Sequence, residues 1–136
     1  MTKVKPNVKK QDYYAALDIG SNSFHFVLAR QVEQQLQIIH SEKYRAQLAQ
    51  GLDSQNQLSE KAIARGISTL ENLATSTAQI HADNFRAVAT FTLRQAKNAK
   101  QFLKEASKIF PFDIEIISGH EEARLIYLGV AHNYHS

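Results

Sequence analysis

The 136-residue chain is 43% hydrophobic and 21% charged, and it has no cysteine, which is typical of one globular domain without a disulfide framework. Its formal net charge is +3, but four of its 16 basic residues are lysines within the first 11 residues, so the rest has 12 basic against 13 acidic residues. This balance excludes a nucleic-acid interaction driven by bulk charge.

The lysine-rich segment 1–11 is predicted to be a disordered basic tail, and residues 12–136 to form a single folded unit. No apolar run approaches the length of a membrane span, and the first residues lack the apolar stretch of a signal peptide. We therefore expect a cytoplasmic protein. A weak peripheral contact of the tail with the inner membrane is left open as an alternative.

Two predicted strands joined by four small residues come first. Residues 13–19 read YYAALDI, an apolar run of strand length, and from Phe24 onward apolar residues alternate with period two. The residues between them, Gly20 to Ser23, predict the turn of a β-hairpin, in which Gly20 allows a φ that other residues avoid. Such a turn can wrap a phosphate with side-chain and backbone donors. The candidate phosphate-binding residues are Ser21, Asn22 and Ser23.

Asp18 lies two residues before this turn. A carboxylate that faced a phosphate directly would repel it, so we expect Asp18 to hold Mg²⁺ or water beside the phosphate. The alternative is structural, with Asp18 and Asn22 only satisfying the backbone of the turn.

A third strand is predicted from Leu36 to Leu48, followed by a loop at 51–56. Ser59 is a suitable N-cap for an amphipathic helix from Glu60 to about Ile80. Within this helix, Gly66 is expected to permit close packing, although glycine costs about 1 kcal/mol in a helix interior.

A short strand over 85–90 leads to Arg94, at the strand end where α/β sheets usually place ligands. Its guanidinium could bind phosphate oxygens through two hydrogen bonds, or Arg94 could be an ordinary exposed arginine. Asn98 is then expected to cap a helix with an apolar face. The opposite face has a lysine stripe, which is either a solvated surface or a contact for a long polyanion. The stripe consists of Lys97, Lys100, Lys104 and Lys108.

A last strand is predicted over 113–117 and a last helix from Ser118 to about His132. Ser118 and Glu121 have capping-box spacing, which assigns Glu121 a structural role. Glu122 is left at the positive end of the helix dipole, where it could act as a general base or be an ordinary surface charge. The element order βββαβαβα predicts an α/β fold, a ribonuclease H-like mixed sheet with helices on its faces.

Three separated strings carry a family resemblance: DIGSNSFH at 18–25, TLRQA at 92–96 and ISGHEEARLIYLGV at 117–130. In order and spacing they resemble the exopolyphosphatase and guanosine pentaphosphate phosphohydrolase (Ppx/GppA) family of the actin-like ATPase superfamily, with bacterial exopolyphosphatase as the closest likeness. The resemblance implies Mg²⁺-dependent removal of terminal phosphate from polyphosphate, or of the 5′ γ-phosphate from guanosine pentaphosphate. It also implies that Asn22 contacts phosphate, Arg94 clamps phosphate oxygens and Glu122 is the base.

Members of that family continue into a second phosphate loop and a second lobe, whereas this sequence stops at Ser136. We therefore expect the N-terminal subdomain of a longer phosphatase, inactive or nearly so on its own and prone to form a homo-oligomer through the surface that meets the second lobe. Two alternatives stay open: a non-catalytic phosphate-binding module and an ATP-using kinase of the wider superfamily.

Overall fold

The computed structural model of the protein describes residues 13–117, which contain five strands, three α-helices and two short 3₁₀ helices. In chain order they are β1 (Tyr13–Ile19), β2 (Phe24–Val32), β3 (Gln35–Tyr44), the 3₁₀ helix Leu48–Gly51, α1 (Glu60–Ser76), the 3₁₀ helix Ala82–Asn84, β4 (Phe85–Ala89), α2 (Phe91–Gln95), α3 (Ala99–Ser107) and β5 (Ile114–Ile116).

All five strands form one mixed sheet in the order β3-β2-β1-β4-β5. The meander β1-β2-β3 is antiparallel, whereas β4 runs parallel to β1 and β5 runs parallel to β4. The predicted α/β fold with a mixed sheet is confirmed. Because β1, β4 and β5 run in the same direction, their carboxyl ends lie at one edge of the sheet, which we call the carboxyl edge.

Most predicted strands and helices are present, but β3 and α1 end well before the hydrophobic pattern indicated, and β4 and β5 are shorter by one or two residues. β3 ends at Tyr44 instead of Leu48, because Gln47 has a left-handed backbone with φ of 53°. Helix α1 ends at Ser76 instead of Ile80. Leu48 and Ile80 are both buried, so the apolar pattern continues past the end of the strand and of the α-helix.

The segment after β4 differs most from expectation. Helix α2 occupies Phe91–Gln95, where the sequence predicted no separate helix. Asn98 stands at the N-cap position of α3 but makes no side-chain cap. Instead its side chain accepts from the N–H of Leu58 at 2.9 Å and donates to the carbonyl of Leu58 at 3.0 Å. The capping prediction was wrong because a distant backbone segment has taken both polar atoms of the amide.

Helices α1 and α3 pack against each other at Gly66 of α1. Ser59 caps α1 as predicted, its hydroxyl accepting from the N–H of Ala62 at 3.1 Å. A Cβ atom on Gly66 would lie 2.6 Å from Cε2 of Phe102 and 3.2 Å from Cδ2 of Leu48. Gly66 is therefore required for close packing, as the sequence indicated. The lysines of the stripe lie on the solvent side, all exposed.

We expect Gly66→Ala to lower the free energy of unfolding by about 1–3 kcal/mol, because the new methyl group would displace the fully buried ring of Phe102. Alanine's better helix propensity, worth about 1 kcal/mol, should not offset this clash. Urea unfolding of both proteins measures the difference. Ser68→Ala, at an exposed position of the same helix, is the control and should leave stability unchanged or slightly raised. A more stable Gly66→Ala protein would contradict the proposed contact.

No helix within residues 13–117 is long and apolar enough to cross a membrane. The predicted basic tail and the predicted last helix, with Ser118, Glu121 and Glu122, lie outside the described residues.

Candidate functional site

The turn between β1 and β2, residues 20–23, lies at the carboxyl edge and is closed by a hydrogen bond from the Gly20 N–H to the Ser23 carbonyl at 3.1 Å. A Cβ atom on Gly20 would lie 2.8 Å from that carbonyl oxygen. No glycine of the described residues has a positive φ. Gly20 is thus required by a close approach of the backbone, and the turn does not use the unusual φ that a glycine allows.

The carbonyl groups of this turn are tied to the segment that follows β3. The N–H of Ala49 donates to the carbonyl of Ser21, and the N–H of Gln47 donates to the carbonyl of Asn22, both at 2.9 Å. The backbone N–H groups of residues 21–23, in contrast, have no hydrogen-bond partner among residues 13–117. Bonded carbonyls beside unbonded N–H groups make the turn a suitable site for an anion.

Arg65 of α1 holds the segment that supports the turn. Its Nε donates to the carbonyl of Ala46 and its Nη2 to the carbonyl of Gln47, each at 3.0 Å. Gln47 in turn bonds Asn22, so the guanidinium supports the turn through one intermediate residue. These contacts span 18 and 19 positions, and no sequence motif indicated them.

Arg65→Met should lower the free energy of unfolding by about 1.5–3 kcal/mol, because two carbonyls would lose a charged donor while the aliphatic stem stays packed. It should also weaken anion binding at the turn. Chemical unfolding and calorimetric titration with tripolyphosphate measure the two effects. Arg65→Lys, which can replace one bond but not both, should lie between the two proteins. Wild-type stability in Arg65→Met would contradict this supporting role.

The turn is also joined to α2. Thr92 donates a hydrogen bond from its Oγ1 to Oγ of Ser21 at 2.7 Å, across 71 positions of the chain. Thr90, at the end of β4, donates from its N–H to the carbonyl of Ile19 at 3.4 Å. The first and second motif strings therefore meet at the carboxyl edge. Thr92 was not predicted as a site residue, although it is the first residue of the TLRQA string.

Arg94 belongs to the same short helix. It is exposed, its Nη1 donates to the carbonyl of Ile117 at 3.2 Å, and its guanidinium carbon lies 5.9 Å from the centre of the Phe91 ring. Ile117 follows β5 and is the first residue of the third string, and its own N–H donates to Ala89 at 2.9 Å. The second and third strings thus also meet at this edge, with the guanidinium accessible to a ligand.

Asp18 is the last residue but one of β1, paired with His25 of β2 and Val88 of β4. Its Oδ1 is buried and has no hydrogen-bond partner among residues 13–117. An unpartnered carboxylate oxygen fits a magnesium ion, which takes hard oxygen ligands and is often held by one or two carboxylates together with water and phosphate oxygens. No cluster of three or more histidine, aspartate or glutamate side chains that could hold a metal ion occurs within residues 13–117.

Two other polar side chains near the edge have structural partners. The Nε2 atom of His25 lies 3.0 Å from Oγ of Ser41 on the neighbouring strand β3. Burial and the nearby carboxylate of Glu42 raise the pKa of Tyr44. The proposed base Glu122 lies outside the described residues.

A family model described as the Ppx/GppA phosphatase family matches residues 27–136 of the chain. Solved structures are also similar. A Ppx/GppA phosphatase of Aquifex aeolicus, in its type II variant, is 28% identical with a TM-score of 0.78, covering 91% of this chain and 41% of its own. Another structure of the Aquifex aeolicus family member is 29% identical with a TM-score of 0.77, covering 88% of this chain and 39% of its own.

An exopolyphosphatase from Cytophaga hutchinsonii is 25% identical with a TM-score of 0.77, and the match covers 87% of this chain and 38% of that one. The chain therefore spans about two fifths of the length of these structures.

Proposed function

The chain belongs to the Ppx/GppA phosphatase family, and we propose that it forms one side of the active site of an exopolyphosphatase. In this proposal the complete enzyme hydrolyses the terminal phosphate of inorganic polyphosphate. The observation that carries the proposal is the meeting of three distant motif strings at the carboxyl edge, through the Thr92–Ser21 and Arg94–Ile117 hydrogen bonds.

The turn would bind the terminal phosphoryl group. Its unbonded N–H groups at residues 21–23 and the exposed amide of Asn22 would donate to the phosphate oxygens, since the carbonyls that would repel an anion are already bonded. Arg94 would donate to other oxygens of the chain from α2, and its charge would offset the negative charge of the substrate.

Glu122 would accept a proton from the attacking water. The water oxygen forms a bond to the terminal phosphorus while the bond from phosphorus to the bridging oxygen breaks, which yields orthophosphate and a polyphosphate one unit shorter. Asp18 would hold Mg²⁺, which when bound neutralises charge on the phosphate oxygens. The unpartnered Oδ1 of Asp18 supports that assignment.

Activity should need more than this chain. The chain spans about two fifths of the similar structures, and in-line attack requires phosphate, metal and water to be held together from both sides. We therefore propose that the 136-residue chain binds phosphate chains with little or no turnover, and that a second lobe completes the cleft.

Phosphate release by the product of the complete gene tests the proposal. With Mg²⁺ and long-chain polyphosphate we expect orthophosphate to appear with progressive shortening from the ends, and turnover by the 136-residue chain at least about 100-fold lower. Guanosine pentaphosphate assayed in parallel decides between the two substrates that the family resemblance implies.

Three other outcomes would overturn the proposal. Faster hydrolysis of guanosine pentaphosphate than of polyphosphate would indicate that the complete protein is a guanosine pentaphosphate phosphohydrolase. Binding of polyphosphate without turnover by the complete protein would indicate a non-catalytic module. ATP-dependent phosphorylation of an acceptor, with ADP as product, would indicate a kinase.

A further inference from the structure

We propose that Thr92 is a positioning residue that orients the hydroxyl of Ser21 toward the bound phosphate, an inference that rests on the proposed phosphate site at the turn. The contact joins two segments that are separated by 71 positions, and its length of 2.7 Å is typical of a well-formed hydrogen bond between hydroxyls.

The side chain of Thr92 has no other polar contact among residues 13–117. Thr92 is only 2% exposed, and its hydroxyl bonds Ser21 alone in this part of the chain. A buried hydroxyl without a partner costs about 1–3 kcal/mol, so Thr92 has a strong preference for this single geometry. Ser21 is less buried and lies beside the unbonded N–H groups of the turn.

The number of donors and acceptors on a hydroxyl group determines how the Thr92–Ser21 bond orients Ser21. A serine hydroxyl has one proton to donate and two lone pairs that accept. The buried hydroxyl of Thr92 has no acceptor other than Ser21 among residues 13–117, so its proton is donated to Ser21. This bond occupies one lone pair of Ser21, and the proton of Ser21 is directed elsewhere. Among residues 13–117 no acceptor takes that proton, so it is available to a phosphate oxygen.

Both ends of the contact are fixed by backbone hydrogen bonds. The N–H of Ala96 donates to the carbonyl of Thr92 at 2.9 Å, and the N–H of Ala49 donates to the carbonyl of Ser21 at the same distance. Thr92 also stands two residues before Arg94 on α2. The five-residue helix α2 therefore orients the Ser21 hydroxyl through Thr92 and also carries the guanidinium of Arg94. It connects these two groups of the proposed phosphate site.

Calorimetric titration of the 136-residue chain with tripolyphosphate in the presence of Mg²⁺ tests the inference. Thr92→Val keeps the shape of the side chain and removes its hydroxyl, and we expect about tenfold weaker binding, the effect of one hydrogen bond of ordinary strength. Thr92→Ser retains the hydroxyl and should bind within about twofold of wild type. In a Ser21→Ala background, Thr92→Val should cause no further loss, because the group that it orients is gone.

Thr77→Val is the matched control. Thr77 is also buried, at 1% exposure, and its hydroxyl donates to the carbonyl of Ala74 at 2.9 Å, within the end of α1. Loss of that hydroxyl should lower stability without changing the affinity for tripolyphosphate, which separates a local effect at the turn from general destabilisation.

The outcomes distinguish this inference from the proposed function. If wild type binds tripolyphosphate and Thr92→Val binds equally well, or if the losses from Ser21→Ala and Thr92→Val simply add, the positioning role is wrong while the phosphate site stands. If the wild-type chain fails to bind tripolyphosphate, the phosphate site at the turn is wrong, and the role of Thr92 falls with it.

Discussion

Asp18→Asn is expected to make the chain more stable while it removes most of the Mg²⁺-dependent activity of the complete enzyme. The Oδ1 atom of Asp18 is buried and has no hydrogen-bond partner in the described part of the chain, which is unfavourable for a carboxylate without a metal ion. The amide has nearly the same shape and no charge, so the free energy of unfolding should rise by about 1 kcal/mol.

The same change should lower phosphate release about 100-fold or more, because a neutral amide is a weaker ligand for Mg²⁺ than a carboxylate. Urea unfolding measures the stability, and thermal unfolding across a Mg²⁺ titration measures metal binding without any need for turnover. The melting temperature of wild type should rise with Mg²⁺, whereas that of Asp18→Asn should not.

Asp113→Asn is the matched control, since Asp113 is exposed and precedes β5, at the edge opposite the turn. It should change neither the Mg²⁺ response nor turnover. A magnesium response that survives in Asp18→Asn would show that Asp18 is not a metal ligand, and lower stability of this variant would show that its carboxylate has a structural role instead.

Glu122→Gln should lower turnover of the complete enzyme by about 10²- to 10⁴-fold, the usual contribution of a general base, and should leave the affinity for polyphosphate within a few-fold of wild type. The amide keeps the size of the side chain but cannot accept a proton from water. Steady-state phosphate release and equilibrium binding of tripolyphosphate separate the two effects.

The neighbouring residue supplies the control for Glu122. In the capping box that the sequence predicts, glutamine serves as well as glutamate, so Glu121→Gln should retain both the helix start and turnover. Undiminished turnover in Glu122→Gln would rule out the base assignment, and an equal loss in Glu121→Gln would point to damage at the helix start.

The elements that were predicted well are those whose cause is local. The alternation of apolar residues from Phe24 onward indicates a strand with one buried face. Ser59 caps α1 through a hydrogen bond to the N–H of Ala62, only three positions away. For Gly66 only the local signal was visible in the sequence, a glycine inside an amphipathic helix, whereas the contact with Phe102 that requires it comes from the tertiary structure. Helix α2 was missed because five residues are too few to show a helical period.

The polar contacts between distant parts of the chain could not be predicted, because each depends on residues that folding brings together. Asn98 has the residue type of a cap, but its amide pairs with Leu58, 40 positions away. Arg65 has no motif around it, yet it supports the turn through Gln47. A side chain takes the partner that offers the best geometry, and sequence spacing reveals only partners on the same helix or strand.

The sequence by itself determined the strands of the meander, the amphipathic helices and the three motif strings, because periodicity, turn residues and motif spacing are properties of the chain before it folds. Only the tertiary structure decided that Ser21, Thr92, Arg94 and Ile117 meet at one edge. That meeting depends on the parallel pairing of β1 with β4 and of β4 with β5, which aligns their carboxyl ends and is set by packing across the whole sheet.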